Sequence, residues 1–265
     1  VNPTEVLADL AAEGEEFDRL LTALAEDQWT LPTPAPGWTI AHQVAHLAAT
    51  FRMAGTAAGD PAAFMAMTAG LSADFNANVT AALSAYLRDP HPVLLERWQA
   101  ERAAAIAALS AVPAGEVVPW LVRPLPPGVL AGAGLMELFA HGQDVADALG
   151  IRPVRTDRLR FVVEFAVRTW DFGYQSRGLT PPDVQFRFEL TSPSGTRWEF
   201  GPDGAEQWIH GPAEDFCLLV TRRRHRDDLA LTAGGADANQ WLDLAQAYRG
   251  PAGPGRQPGQ FAARH

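Results

Sequence analysis

The chain has 265 residues, 47% of them hydrophobic, and a formal net charge of -10 at pH 7. This length suits one large domain or two ordinary ones, and the apolar content excludes global disorder. The negative charge argues against binding to a phosphate backbone, and the single cysteine, Cys217, excludes an internal disulfide or a cysteine-rich zinc module.

The first residues, Val1-Asn2-Pro3-Thr4-Glu5, lack the basic-then-apolar order of a signal peptide, and no uninterrupted apolar run reaches membrane-spanning length. A cytoplasmic protein with neither membrane nor nucleic-acid partners is expected. Thr4 is expected to cap a first helix carrying Val6, Leu7, Leu10, Phe17, Leu20, Leu21 and Leu24 at helical spacing. Pro32, Pro34, Pro36 and Gly37 break the chain. Thr39 then caps a second helix with Ile40, Val44, Leu47 and Phe51 on one stripe and His46 beside it. After the turn at Gly59-Asp60-Pro61, residues 62–87 read as alanine-rich helix anchored by Phe64, Leu71, Phe75, Val79 and Leu83. Asp89-Pro90-His91-Pro92 interrupts it. A strong helix follows over 93–109, with Leu94, Leu95, Trp98, Ile106 and Leu109. Residues 113–127 are irregular and proline-rich, and residues 134–149 return to helix with Gly150 as C-cap. Residues 1–150 therefore read as an antiparallel helical bundle with one long connection.

Beyond residue 150 the pattern changes. A helix is predicted over 158–174. Val184, Phe186, Phe188 and Leu190 alternate with polar residues as a half-buried strand, and Ser194-Gly195 turns it back into 197–200 as a hairpin. Pro202-Asp203-Gly204 turns again before 206–210, and helices are predicted over 212–223 and 236–248. Residues 151–250 thus read as a smaller α+β domain, and the Pro/Gly-rich tail 251–265 as extended or mobile. Cys217 lies in an apolar run and reads as a buried thiol, although the nearby arginines leave open a reactive one.

Glu137 and His141 stand four apart and project from one helix face, inside the apolar stretch Leu135-Met136-Glu137-Leu138-Phe139-Ala140. A histidine on an apolar stripe is ordinarily a core residue. An unpaired carboxylate there would be costly to bury, however, and a metal ion compensates that cost. A third ligand from the second helix would leave coordination positions open, as in catalytic sites. His42 and His46 both qualify as that ligand, being themselves four apart. The glutamate of a zinc protease is missing between them, since positions 43–45 are Gln, Val and Ala. Asp144, three residues after His141, is placed to accept a hydrogen bond from that imidazole or a neighbour. Trp38, at the start of the helix, serves either as packing or as a lid over the metal.

The segments Pro36-Gly37-Trp38-Thr39-Ile40-Ala41-His42-Gln43-Val44-Ala45-His46-Leu47 and Glu137-Leu138-Phe139-Ala140-His141-Gly142-Gln143-Asp144 resemble the DinB-like superfamily, and within it the mycothiol-dependent maleylpyruvate isomerase family of actinobacteria. The resemblance implies His46, Glu137 and His141 as ligands of a divalent metal, usually zinc, with nickel or iron also compatible. It also implies an N-terminal four-helix bundle followed by an α+β domain similar to sterol-carrier proteins, a likeness carried by residues 198–224. A functionally important arginine in the family's second domain is best matched by Arg222, with Arg223 or Arg224 in neighbouring registers. Against that, Arg222 to Arg226 reads as the solvated end of a helix.

The implied activity is a metal-dependent isomerase or S-transferase acting on a small electrophilic or acidic molecule, with mycothiol as cosubstrate. Asp144 would orient a ligand and Arg222 would hold an acidic group, in a cleft expected at the domain junction. Two alternatives differ in class: a thiol-independent metal-dependent cyclase or isomerase of secondary metabolism, and a non-catalytic small-molecule binding protein with a structural metal.

Overall fold

The structure, a computed structural model, describes residues 2–121 and 123–261. Of the stretches expected to be irregular, residue 122 and residues 262–265 lie outside the described residues. The chain forms two compact units, Val1–Pro153 and Val154–His265.

In the first unit, helices α1 (Pro3–Thr22), α2 (Ile40–Gly59), α5 (His91–Ala111) and α6 (Pro127–Leu149) pack on one another as a bundle. Two short helices, α3 (Pro61–Ala69) and α4 (Phe75–Ser84), stand between α2 and α5. The expected stripe of α2 is inside, with Ile40, Val44, Leu47 and Phe51 all buried. Gly55 lets α2 approach α5 closely, since a Cβ there would lie 3.2 Å from the Cα of Ala105. Helix α6 is buried along most of its length, which is why Glu137 sits among apolar neighbours.

Several boundaries differ from expectation. Helix α1 is capped by Asn2, whose side chain accepts from the Thr4 backbone, because Pro3 has the fixed φ suited to a first helical turn. Residues 62–87 do not form one helix. Gly70 ends α3, and Asp74 caps α4 by accepting from the Ala77 N–H, while Asn78 bonds Ser72 in the connecting loop. The break leaves only Phe64 and Leu83 of the five anchors buried, with Leu71 and Phe75 exposed. Helix α6 begins seven residues earlier than expected, at Pro127, another proline in a first turn. It ends as predicted at Gly150, which has φ 66°.

An added Cβ at Gly150 would meet nothing within 4 Å, so substitution there tests backbone conformation alone. Gly150→Ala is expected to cost about 1 kcal/mol, read as a lowered urea midpoint at unchanged slope.

In the second unit, the helix predicted over 158–174 divides into α7 (Leu159–Arg168) and α8 (Phe172–Gln175). Strands β1 (Phe186–Thr191), β2 (Arg197–Phe200), β3 (Gln207–Pro212) and β4 (Thr232–Gly234) form one mixed sheet in the order β2-β1-β3-β4. The β1–β2 hairpin is antiparallel with Leu190 opposite Trp198, and β3 runs parallel to β1 on its other side. Phe186, Phe188, Leu190 and Ile209 are buried on one face, where the Phe188 ring meets Phe216 of α9 (Ala213–Val220) and Trp241 of α10 (Ala236–Leu244). The other face carries ion pairs centred on Arg187, Glu189 and Arg197. Strand β4 was not anticipated. Among the described residues, no helix is long and apolar enough to cross a membrane.

Candidate metal centre

Helix α2 contributes His46 and helix α6 contributes Glu137 and His141. The Glu137 Oε2 atom lies 3.2 Å from His141 Nε2 and 3.5 Å from His46 Nε2. Each residue presents one ligand atom, all within 4.8 Å of one another, and all three side chains are only partly exposed. The rings of His46 and His141 are 4.4 Å apart between centroids. Burial alone would raise the Glu137 pKa, but the imidazoles of His141 and His46 outweigh it and hold the carboxyl well below the usual carboxylate range.

Three features follow from the loop before α2. Pro36-Gly37 turns the chain back, with Gly37 at φ 77° and the Trp38 N–H donating to the Ala35 carbonyl at 3.0 Å. The turn places the Trp38 ring against both histidines, 5.4 Å from His46 and stacked at 6.0 Å and 21° on His141. Trp38 therefore borders the cluster and is not remote core packing. His42, the rival of His46, is engaged elsewhere. Its Nδ1 meets the Thr39 hydroxyl at 2.8 Å and the Thr39 N–H at 3.3 Å, closing a cap on the first turn of α2. Burial lowers its pKa from the ordinary imidazole value.

The sequence reading missed Gln43. Its side chain is fully buried, its Oε1 lies 2.5 Å from His141 Nδ1, and its Nε2 donates to Thr33 Oγ1 at 2.8 Å. Position 43 drew notice only for lacking the protease glutamate. The signal available was a polar residue between Ala41 and Val44 on an otherwise apolar face. Asp144 is fully buried on α6, three residues beyond His141.

Arg222 belongs to the second unit. It follows α9 at φ 59°, a conformation costly for a residue with a Cβ, and its Nη2 donates to the Gly253 carbonyl at 3.4 Å. Arg224 lies over the Phe261 ring at 3.8 Å, and Arg226 bonds Asn239 and Asp243. Cys217 is fully buried in α9, and burial pushes its thiol far up, with Arg155 only partly offsetting this. It is the inert thiol of the first reading.

The donor set fits a divalent cation. Ligand bonds of about 2.0–2.1 Å set neighbouring corners of a tetrahedron ~3.3 Å apart, close to the 3.2 Å and 3.5 Å separations around Glu137. Two imidazoles and one carboxylate are also a ligand combination common to zinc and related ions.

Fold and site together define a helical-bundle protein with a His–Glu–His cluster between two core helices, joined to an α+β unit. Residues 10–146 match the family described as mycothiol maleylpyruvate isomerase N-terminal domain, and the chain belongs to that family. Two Mycobacterium tuberculosis proteins, from strains CDC 1551 / Oshkosh and H37Rv, are each 44% identical over 255 residues. The match covers 96% of this chain and 99% of theirs, and both are described as uncharacterized. The crystal structure of the mycothiol-dependent maleylpyruvate isomerase has a similar fold, at TM-score 0.57 and 16% identity over 88% of this chain and 93% of that one. A histidine-to-alanine mutant of the mycothiol-dependent maleylpyruvate isomerase gives TM-score 0.56 at 15% identity, with the same coverage. The helical bundle followed by an α+β domain, expected from the sequence, is thus the fold of this chain.

Proposed function

We infer that the protein is a cytoplasmic metal-dependent enzyme of small-molecule chemistry, a mycothiol-dependent isomerase or S-transferase. The observation that carries this reading is the spacing around Glu137, two imidazole nitrogens at 3.2 Å and 3.5 Å from one carboxylate oxygen. His46, Glu137 and His141 hold the cation, with zinc as the first choice and nickel or iron compatible with the same donors. A three-residue set leaves room for an exogenous ligand. A divalent cation so held supplies Lewis acidity that keeps a thiol as thiolate near neutral pH.

The protein's own residues do the rest. Trp38 borders the cluster and limits the approach of solvent to it. Asp144, buried on the ligand helix, orients a ligand, and Arg222 holds an acidic group of the substrate through its guanidinium. In an isomerase, the mycothiol thiolate adds to an electrophilic double-bond carbon and the π pair moves onto the activating group of the substrate; the former double bond turns as a single bond, and the returning pair re-forms it and expels the thiolate. In a transferase, the adduct is the product. The family match supports the thiol.

The test uses the full chain loaded with cobalt(II) as a zinc surrogate and titrated with mycothiol. A sulfur-to-cobalt charge-transfer band that saturates near one equivalent is expected. No band with metal bound at full occupancy would favour the thiol-independent enzyme. Metal content below about a third of an equivalent, unchanged in His46→Ala, would remove the metal reading altogether.

A further inference from the structure

We propose that Gln43 is the residue that positions His141 in the cluster. It holds His141 with its proton on Nδ1, turns Nε2 toward Glu137, and ties that choice to the loop that carries Trp38. The consequences for metal affinity rest on the metal reading above, whereas the consequence for the imidazole tautomer does not.

The polarity of the contacts follows from a group that can only accept. The Trp38 carbonyl takes the Thr33 N–H at 2.8 Å and the Thr33 hydroxyl at 2.9 Å. With its single proton given to that carbonyl, the Thr33 hydroxyl can only accept from Gln43, so the amide nitrogen faces it at 2.8 Å. The amide oxygen then faces His141 Nδ1 at 2.5 Å. An amide oxygen has no proton to offer, so Nδ1 is the donor, and Nε2 is the ring nitrogen left to face the rest of the cluster. Nε2 lies 3.2 Å from Glu137 Oε2, an acceptor. A proton satisfies this contact in the metal-free protein, and a metal ion that displaces it finds Nε2 aimed at the same oxygen while Nδ1–H stays on Gln43.

Burial makes the relay firm. Gln43 is 0% exposed, so its amide has no solvent to turn to if either end is lost. The same residue connects three parts of the chain, namely the loop through Thr33, helix α2 through its own backbone, and helix α6 through His141. The Trp38 ring, brought back by the Pro36-Gly37 turn, stacks on the imidazole so fixed. Outer partners of this kind set the tautomer and orientation of ligand histidines.

Two measurements on the full chain test this. The first is the nitrogen-15 NMR signature of His141 in the metal-free protein at pH 8. It is expected to show a proton on Nδ1, and an Nδ1 without a proton, with the proton on Nε2 alone, would overturn the proposal. The second is competition titration with Zn2+ alone. Gln43→Leu, which removes the acceptor, is expected to weaken zinc binding 10- to 100-fold, and Gln43→Glu, which keeps an acceptor oxygen, to restore it to within about threefold of the parent. Equal affinity in Gln43→Leu and parent, or equal weakness in both variants, would also overturn it. If the parent itself binds no zinc, the metal reading falls, and the tautomer measurement alone decides the role of Gln43.

Discussion

Glu137→Gln is expected to weaken zinc binding by roughly 100- to 1000-fold, the scale of losing one partner in a partly buried charged cluster. The substitution is nearly isosteric and leaves an amide oxygen, so the loss isolates the charge. Both imidazole nitrogens converge on one oxygen of this carboxylate, and no other acidic side chain completes the cluster among the described residues. Stability should separate the ligand role from a packing role. Ligand present at a thousand times its Kd stabilises the folded state by about 4 kcal/mol, which raises Tm by on the order of 10 °C for a unit of this size. The metal-free variant should melt somewhat below the metal-free parent, because the charged carboxylate held low by the two imidazoles stabilises the fold at neutral pH, and the zinc-dependent rise should disappear as well. His42→Ala supplies the contrast. It lies one turn from His46 but is engaged in the Thr39 cap, so it should keep zinc affinity and lose only about 1 kcal/mol of stability. A competition titration with a chromophoric chelator and a thermal melt with and without zinc measure both. Undiminished zinc affinity in Glu137→Gln would sink the assignment.

How much of this was legible in the sequence follows from the range of each interaction. The α2 stripe and the four-residue spacing of Glu137 and His141 are local periodicities, and the chain displays them directly. The alternation of Phe186, Phe188 and Leu190 in β1 is of the same kind. Gln43 was hard to read as a functional residue because its partner, His141, is 98 residues away, and a polar residue on an apolar face does not say what it bonds. The sheet order shows the same limit. The hairpin of β1 and β2 is read from one turn, but the parallel placement of β3 beside β1 depends on register across the sheet. Strand β4 is three residues long and ends at Gly234-Gly235, too short for alternation to appear. In α3 and α4 composition misled. Alanine-rich helix was expected throughout, but side-chain bonding by Ser72, Asp74 and Asn78 competes with helix in the loop between them.

Replacing Trp98 with alanine is expected to destabilise the helical unit by about 3–5 kcal/mol. The indole has no exposed surface and stands edge-on between two rings, 6.0 Å from Phe17 and 5.1 Å from Phe51. Its Nε1 donates to Asp18 at 2.8 Å, and the other oxygen of Asp18 takes Arg102 Nη2 at 2.5 Å. Arg102 also reaches the Ala11 carbonyl, through space that Gly14 leaves open, where a Cβ would lie 2.2 Å from Nη1. Alanine at 98 thus opens a cavity between α1, α2 and α5 and removes one donor from a partly buried carboxylate. Trp98→Phe keeps much of the packing and loses the donor, so a smaller cost of about 1–2 kcal/mol is expected. Against a total stability typically of 5–15 kcal/mol, the alanine variant should be partly unfolded in mild urea. The proposed zinc ligands lie on α2 and α6, so saturating metal should recover a large part of the loss by mass action. Urea titrations with and without zinc measure this coupling. Full destabilisation with no recovery by zinc would mean that the cluster depends on the packing of Phe51, five residues beyond His46 on the same helix.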